Sequence, residues 1–313
     1  MQMADFNFVS QTLKNVLDFI VGIVGNYGWS VIVFTLLIRL LVLPLDIQSK
    51  KAMKKQQALQ PKLDALNKKY AKDKETLAKK QQALYKSEGV NPMASCLPML
   101  ISMPILFCMF TAMRVTANEH LVQMLLDFKN GIEPTFQGWL WIKNVFQPDS
   151  FLAGVLPAAN DGLMALVGVN GSAILTAENI TMVREFVATP EYAAIAASYG
   201  VNPSFSAPLL MWTITLPKQF NGLLILPIIA AASQFLSAKL MSASQPQNEQ
   251  TQSTNQMMGW MMPIMSLVFC LTSNAAFAIY WVAVNVIMIL QQYALNLYFD
   301  RQTAVKPEEV TES

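Results

Sequence analysis

The residue best placed to do physical work in this 313-residue chain is an arginine inside an apolar run, Thr35-Leu-Leu-Ile-Arg39-Leu-Leu-Val-Leu-Pro44. Five residues of helix separate Arg39 from Pro44, roughly 8 Å at 1.5 Å per residue. A guanidinium at that depth in a bilayer costs on the order of 2.5 to 3.5 kcal/mol, so it needs water or polar company. No Asp or Glu occurs inside the apolar runs, Asp46 lying at the edge of the first, so a buried ion pair is excluded and uncharged groups must solvate the charge. The candidates are Thr35, one turn away on the same helix face, with Ser102, Ser233, Gln234 and Asn285 from other runs. A wet groove among helices would satisfy all of them. The competing readings are an arginine that snorkels to the headgroups and an anion site of a small-molecule or ion transporter, although no inverted repeat is visible. Enzyme chemistry finds little support. His120 has no Ser, Cys or carboxylate constellation around it, and Cys96, Cys108 and Cys270 form no CxxC or metal-ligand spacing. Neither a cofactor nor a metal is expected.

The elements that must hold these residues are transmembrane helices. The chain is 53% hydrophobic and 13% charged, with mean hydropathy +0.35, more apolar surface than a soluble domain of this size can bury. Five stretches approach the ~20 apolar residues a span requires: Trp29–Leu45, Met93–Met113, Leu223–Leu240, Met257–Leu271 and Ala275–Leu297. Pro98 and Pro104 interrupt the second, Pro227 opens the third and Pro263 sits in the fourth, so short, kinked helices in a locally thin membrane are expected. Only Thr272-Ser-Asn274 separates the last two runs, a tripeptide suited to a tight turn between antiparallel helices.

Charge orients the spans. Between Gln48 and Glu88 twelve lysines face four acids, a balance of +8, whereas Thr116 to Asn221 carries four basic and eight acidic residues, a balance of −4. The positive-inside rule therefore puts the lysine segment and the C-terminus in the cytoplasm and the N-terminus outside. The expected organisation is an N-terminal interfacial helix (1–28), a first span (29–47), a cytoplasmic lysine-rich helical hairpin (48–90), a second span (91–115), an extracytoplasmic connection (116–221), a third span (222–241), a cytoplasmic linker (242–256), fourth and fifth spans (257–299) and a cytoplasmic tail (300–313). The fold class is thus an all-α membrane protein, five transmembrane helices around a hydrophilic groove. In the N-terminal helix Val9, Leu13, Val16, Ile20 and Val24 repeat at helical spacing. Asp18 falls where the apolar core of a signal peptide should be, which favours an interfacial helix over the signal peptide. In the lysine segment Leu59, Leu63, Leu66 and Tyr70, then Leu77 and Leu84, suggest two helices with a narrow apolar seam. It is either a solvated connector or a docking arm for anionic headgroups or ribosomal RNA. Leu163–Leu175 is too short for a span and reads as a packed outer helix or a re-entrant turn, and the Ser/Gln/Asn/Thr-rich stretch 242–256 reads as a flexible loop.

Four blocks in order resemble the YidC insertase family of bacterial, mitochondrial and chloroplast proteins. They are Gly28-Trp-Ser-Val-Ile-Val-Phe-Thr-Leu-Leu-Ile-Arg39 through Pro44-Leu, Asn91-Pro92 through Leu97-Pro98 to Pro104-Ile, Leu226-Pro227-Ile-Ile with Lys239, and Ile279-Tyr280-Trp281-Val-Ala-Val-Asn285 with Gln291-Gln292. The resemblance implies a five-helix core around a cytoplasm-facing groove with Arg39 as its positive floor, and Trp281 lining the groove or touching the client. It implies an insertase and chaperone that receives hydrophobic segments of nascent membrane-protein clients and releases them into the bilayer lipids. The lysine-rich hairpin becomes the mobile element near the ribosome and a targeting receptor, with a Sec-type channel as a further partner. The chain departs from the family pattern at Ser102, where relatives commonly carry Gln, and at Asn274-Ala-Ala-Phe277, where they carry a Pro-Ala-Gly type turn. A bacterial plasma-membrane member without a lipid anchor is the expected lineage.

Overall fold

The computed structural model describes residues 8–91, 97–156, 166, 168–199, 203–209, 212–217, 219–243 and 249–304. The helices are α1 (Phe8–Val24), α2 (Tyr27–Ala58), α3 (Gln60–Lys69), α4 (Lys74–Ser87), α5 (Leu97–Lys129), α6 (Ala177–Val187), α7 (Pro190–Ser198), α8 (Ile225–Ala243), α9 (Glu249–Thr272) and α10 (Ala275–Ala304). One antiparallel hairpin, β1 (Pro203–Leu209) and β2 (Trp212–Pro217), is paired from Leu209↔Trp212 to Pro203↔Pro217 with an irregularity between Pro203 and Phe205. The apolar helices bear out the helical membrane class, and this hairpin is the exception to it. Its Trp-Thr-Ile-Thr run is rich in the β-branched and aromatic types that suit strands. Among the described residues, Tyr27–Ala58, Ile225–Ser242 and Ala275–Phe299 are long and apolar enough to cross a membrane, and Gly259–Thr272 is a shorter apolar helix.

Two compact units share these helices. The first comprises residues 1–35, 105–231 and 265–283, the second 36–104, 232–264 and 284–313. In the first unit α5 outruns the stretch read as a span. It is a 33-residue helix that tolerates Pro104 in its interior and continues to Lys129. Its C-terminal part supplies Val122, Leu125 and Phe128 to a core completed by Ile180, Val183 and Phe186 of α6 and by Tyr192 and Ala196 of α7. Thr176 and Thr189 cap α6 and α7, their hydroxyls accepting from Asn179 N and Tyr192 N, and Pro190 at the start of α7 needs no partner for its missing N–H. The described residues of 163–175 form no helix. A turn at Asn170-Gly171 lets Leu166, Val169 and Leu175 bury in the same core, and Gly171 holds φ +87°.

Helix α1 buries only part of its apolar stripe. Ser10, Leu17 and Ile20 are its buried residues, whereas Val9, Val16 and Val24 are exposed together with Phe8, Phe19 and Ile23. The seat is polar as well as apolar. The Lys14 ammonium lies 2.7 Å from Asp18 and 2.9 Å from Glu119 of α5, and Ser172 donates to Glu119 at 2.6 Å. Burial works against the Lys14 ammonium, but its hydrogen bonds to the two carboxylates outweigh that and hold the amino group above its ordinary range.

In the second unit the lysine-rich segment folds as α3 and α4. Leu59, Leu63 and Val90 form its small core, with Leu84 and Tyr85 packed against it, so the seam runs through Tyr85 and Val90 rather than through Tyr70 and Leu77. Asp73 caps α4 by accepting from Thr76 N at 3.0 Å. The stretch read as a flexible loop, 242–256, is largely helical where it is described: α8 runs to Ala243 and α9 begins at Glu249. Glu and Gln are good helix formers, and attachment to an apolar helix outweighs the linker-like composition.

Candidate functional site

The expected groove residues fall in both units. In the second unit α8 and α10 bring two of them together: Asn285 Nδ2 donates to Ser233 Oγ at 3.2 Å, with both side chains buried. Ser237, one turn further along α8, is also buried, and Gln234 is half-buried beside them in sequence. Arg39 is half-buried on α2. Toward the C-terminal ends of the same helices Gln291 Nε2 donates to Asp46 Oδ2 at 2.7 Å, and the Lys54 ammonium lies 5.9 Å from the centre of the Phe299 ring. Two helices of spanning length thus share a buried, uncharged polar pair. In an apolar surrounding such a pair offers hydroxyl and amide groups where hydration has been lost.

Thr35 and Trp281 belong to the first unit. Thr35 is buried, and its hydroxyl donates to Val31 O at 2.6 Å, one turn back on its own helix. Its proton therefore goes to the backbone, a habit of threonine in apolar helices that spacing alone does not reveal. Trp281 is half-buried in an aromatic cluster, 5.7 Å from Phe277 and 6.2 Å from Phe269, and its Nε1 is buried with no hydrogen-bond partner among the described residues. Ser102 lies in α5, but its side chain is outside the described residues.

Sequence reasoning missed a polar clamp in the first unit. Asp149 is fully buried, and its carboxylate accepts from Trp141 Nε1 at 3.2 Å, Leu223 N at 2.8 Å and Leu226 N at 2.7 Å. A charge at the N-terminus of α8 satisfies amides that the helix cannot, and it holds Leu224, between those two donors, at φ 63°. Asn221, also fully buried, donates to the carbonyls of Asn144, Gln147 and Pro148 and accepts from Asn144 N. Gly222 leaves the room: a Cβ there would collide with the Asp149 carboxylate. The same loop serves α10, whose Ala275 N and Ala276 N donate to Gln147 O and Val145 O, while Asn274 Oδ1 caps Phe277 N at 2.9 Å. The only local signals were a Pro148-Asp149-Ser150 turn and an Asn221-Gly222 pair, and neither says what it binds.

His120 stacks on Phe146 at 4.2 Å in the first unit, with Tyr27 edge-on at 6.5 Å. Burial lowers its pKa, opposed by Glu119 and Asp18 and reinforced by Lys14. Among the described residues no three His, Cys, Asp or Glu side chains gather as metal ligands would.

The chain has relatives among known proteins. A model of the 60Kd inner membrane protein family matches residues 19–302. The chain is similar to the membrane protein insertase YidC of Fusobacterium nucleatum, 36% identical over 51% of this chain and 70% of that protein. It is also similar to the membrane protein insertase MisCA of Bacillus subtilis, 30% identical over 92% of this chain and 78% of that one. The YidC of Chlorobium luteolum is 27% identical over 87% of this chain, which spans only 33% of that longer protein. A crystal structure of an active YidC insertase aligns over 92% of this chain and 47% of its own, at 16% identity and a TM-score of 0.46.

Proposed function

This chain belongs to the 60Kd inner membrane protein family of YidC-type insertases, and from that premise we propose that it takes hydrophobic client segments from the cytoplasm into a polar groove and releases them into the bilayer. It is a multi-pass membrane protein insertase, and its partners are membrane-protein clients and lipids. The family is one of insertases rather than enzymes. The similar proteins named above are insertases, which gives the transporter reading no support.

The finer reading has five spans, drawn from α2, α5, α8, α9 and α10, in a bacterial plasma membrane with the N-terminus outside and the C-terminus in the cytoplasm. Its groove uses Arg39, Thr35, Ser102, Ser233, Gln234, Trp281 and Asn285. The observation that carries it is the buried Ser233–Asn285 hydrogen bond between two helices of spanning length. Polar groups there replace part of the hydration that a client's hydrophilic tail loses on crossing, which lowers a barrier without any bond being made or broken. Arg39 adds a positive charge that draws acidic tails inward. The lysine-bearing α3–α4 pair is the cytoplasmic element offered to the ribosome and a targeting receptor, with a Sec-type channel as an additional partner.

Reconstitution in liposomes with a short single-span client, scored by protease protection, tests this reading. Wild type inserts the client. Arg39→Ala loses about tenfold for a client with an acidic translocated tail, the effect of ~1.4 kcal/mol on the barrier, and Arg39→Lys keeps part of the activity. Full activity of Arg39→Ala would remove the charge from the mechanism, and no insertion by wild type would remove the autonomous function.

A further inference from the structure

Leu140 combines two costs. It is 64% exposed, and its φ is +50°, a region unfavourable for a bulky side chain and suited to Gly or Asn. Its neighbours hold it there. Trp139 and Ile142 exchange two backbone hydrogen bonds of 2.8 Å, closing a tight turn. Trp139 packs 5.5 Å from Trp29 and directly on Gly28, where a Cβ would collide with the indole ring, and Asn26 Nδ2 donates to Gly138 O at 2.9 Å. On the other side Trp141 donates to Asp149, the residue that caps α8. The turn is thus fixed at both ends, and what it presents is a leucine between two tryptophans.

We infer that the Trp139-Leu140-Trp141 turn is a lipid anchor, with Leu140 seated in the headgroup and acyl boundary of the leaflet at the N-terminal end of α2. The inference rests on the reading that α2 and α8 span the bilayer. Trp29 lies in the first turn of a helix long and apolar enough to span, and Asp149 ties the same loop to the start of another. The tip is therefore held at the level where spans begin. Exposed apolar side chains also stand where the two helices start, Trp29 in the first turn of α2 and Leu223 two residues ahead of α8, each about half exposed. Trp29 is the exposed indole of this group, and an indole favours this boundary because it carries an apolar body and one polar N–H. Lipid is the occupant that removes Leu140 from water while leaving the turn as it is.

The test places an environment-sensitive fluorophore on single cysteines at Leu140→Cys, Val33→Cys and Glu178→Cys, in the full chain with Cys96, Cys108 and Cys270 replaced by Ser. The proteins are reconstituted in phosphatidylethanolamine/phosphatidylglycerol vesicles carrying nitroxide lipids labelled near the carbonyl or near the chain terminus. Val33, exposed on α2, reports whether that helix spans, and Glu178, exposed on α6, reports water. The expected result is blue-shifted emission at position 140, lost mainly to the shallow nitroxide, with deeper quenching at 33 and none at 178. Water-like emission at 140 with quenching at 33 overturns the anchor and leaves the spans intact. A blue shift at 140 that neither nitroxide quenches assigns the leucine to a second copy or a client and equally overturns it. Absence of quenching at both 140 and 33 rejects the spanning premise instead.

Discussion

Two sets of buried polar residues in this molecule are built on opposite principles. Around Asp149 and Asn221 every side-chain oxygen and nitrogen finds backbone partners: one carboxylate receives three N–H donors, and one carboxamide donates to three carbonyls and accepts from an amide. Such saturation makes a rigid joint, because any movement strips charge-assisted bonds in a buried place. Ser233 and Asn285 are joined side chain to side chain by a long hydrogen bond of 3.2 Å, and Gln292 on the same helix as Asn285 buries its Oε1 with no partner among the described residues. The first arrangement spends its polarity on fixing helix ends. The second, in the groove we propose, would keep polarity available to a passing chain.

The sharpest way to break the comparison is to remove the centre of the saturated set. Asp149→Ala strands the Leu223 and Leu226 amides and the Trp141 N–H, at a cost of about 3 kcal/mol or more. Thermal unfolding in detergent should show a large drop in melting temperature, and Asp149→Asn a smaller one. Insertion per folded molecule should change little, and an unchanged melting temperature would end the claim that this set is structural.

The next effect is smaller in stability and larger in function. Asn285→Ala gives up one weak bond, about 1 kcal/mol, so the melting temperature should move by only a few degrees. Client insertion in liposomes should fall several-fold. If insertion follows the folded fraction alone, the Ser233–Asn285 pair is as structural as the Asp149 set and the contrast disappears.

The smallest effect is on pH. The pKa of His120 is lowered in the folded protein, chiefly by burial. Its neutral form is therefore the folded form, and its contribution to stability is complete above the unfolded pKa of about 6.5. That contribution is lost as pH falls through 6.5 toward the depressed value. Melting temperatures recorded from pH 7.5 down to 5 should decline, and His120→Gln should flatten this part of the profile. Lys14 adds nothing in that window, since its raised pKa keeps its stabilising charge until pH climbs past its ordinary value of about 10.5.

What was legible in the sequence was local. Thr272-Ser-Asn274 reads as a tight turn, and it is one, with Asn274 capping the next helix. The lysine-rich stretch reads as two helices because leucines recur at helical spacing, and α3 and α4 form there. The β1–β2 hairpin, the early start of α9 and the run of α5 past Met113 were not legible, since composition suggested linker or loop and tertiary attachment decided otherwise. Among the candidate site residues, Ser233 and Asn285 were chosen for their polarity within apolar runs and do meet. Thr35 was chosen on the same ground, and its hydroxyl proton turns to its own backbone. The Asp149 clamp is not legible because its backbone partners lie 74 to 77 residues away, beyond any periodicity.

That separation has a consequence for how the protein is made. The carbonyls of Val145 and Gln147 and the carboxylate of Asp149 are made near mid-chain, yet the amides they serve belong to α8 and, later still, to the first turn of α10. The loop gains its partners in two steps, the α8 amides first and those of α10 only when the last helical pair has arrived. A chain truncated before Ala275 would keep the hydrogen bonds to Asn221 and α8 but leave the carbonyls of Val145 and Gln147 without the amides of α10.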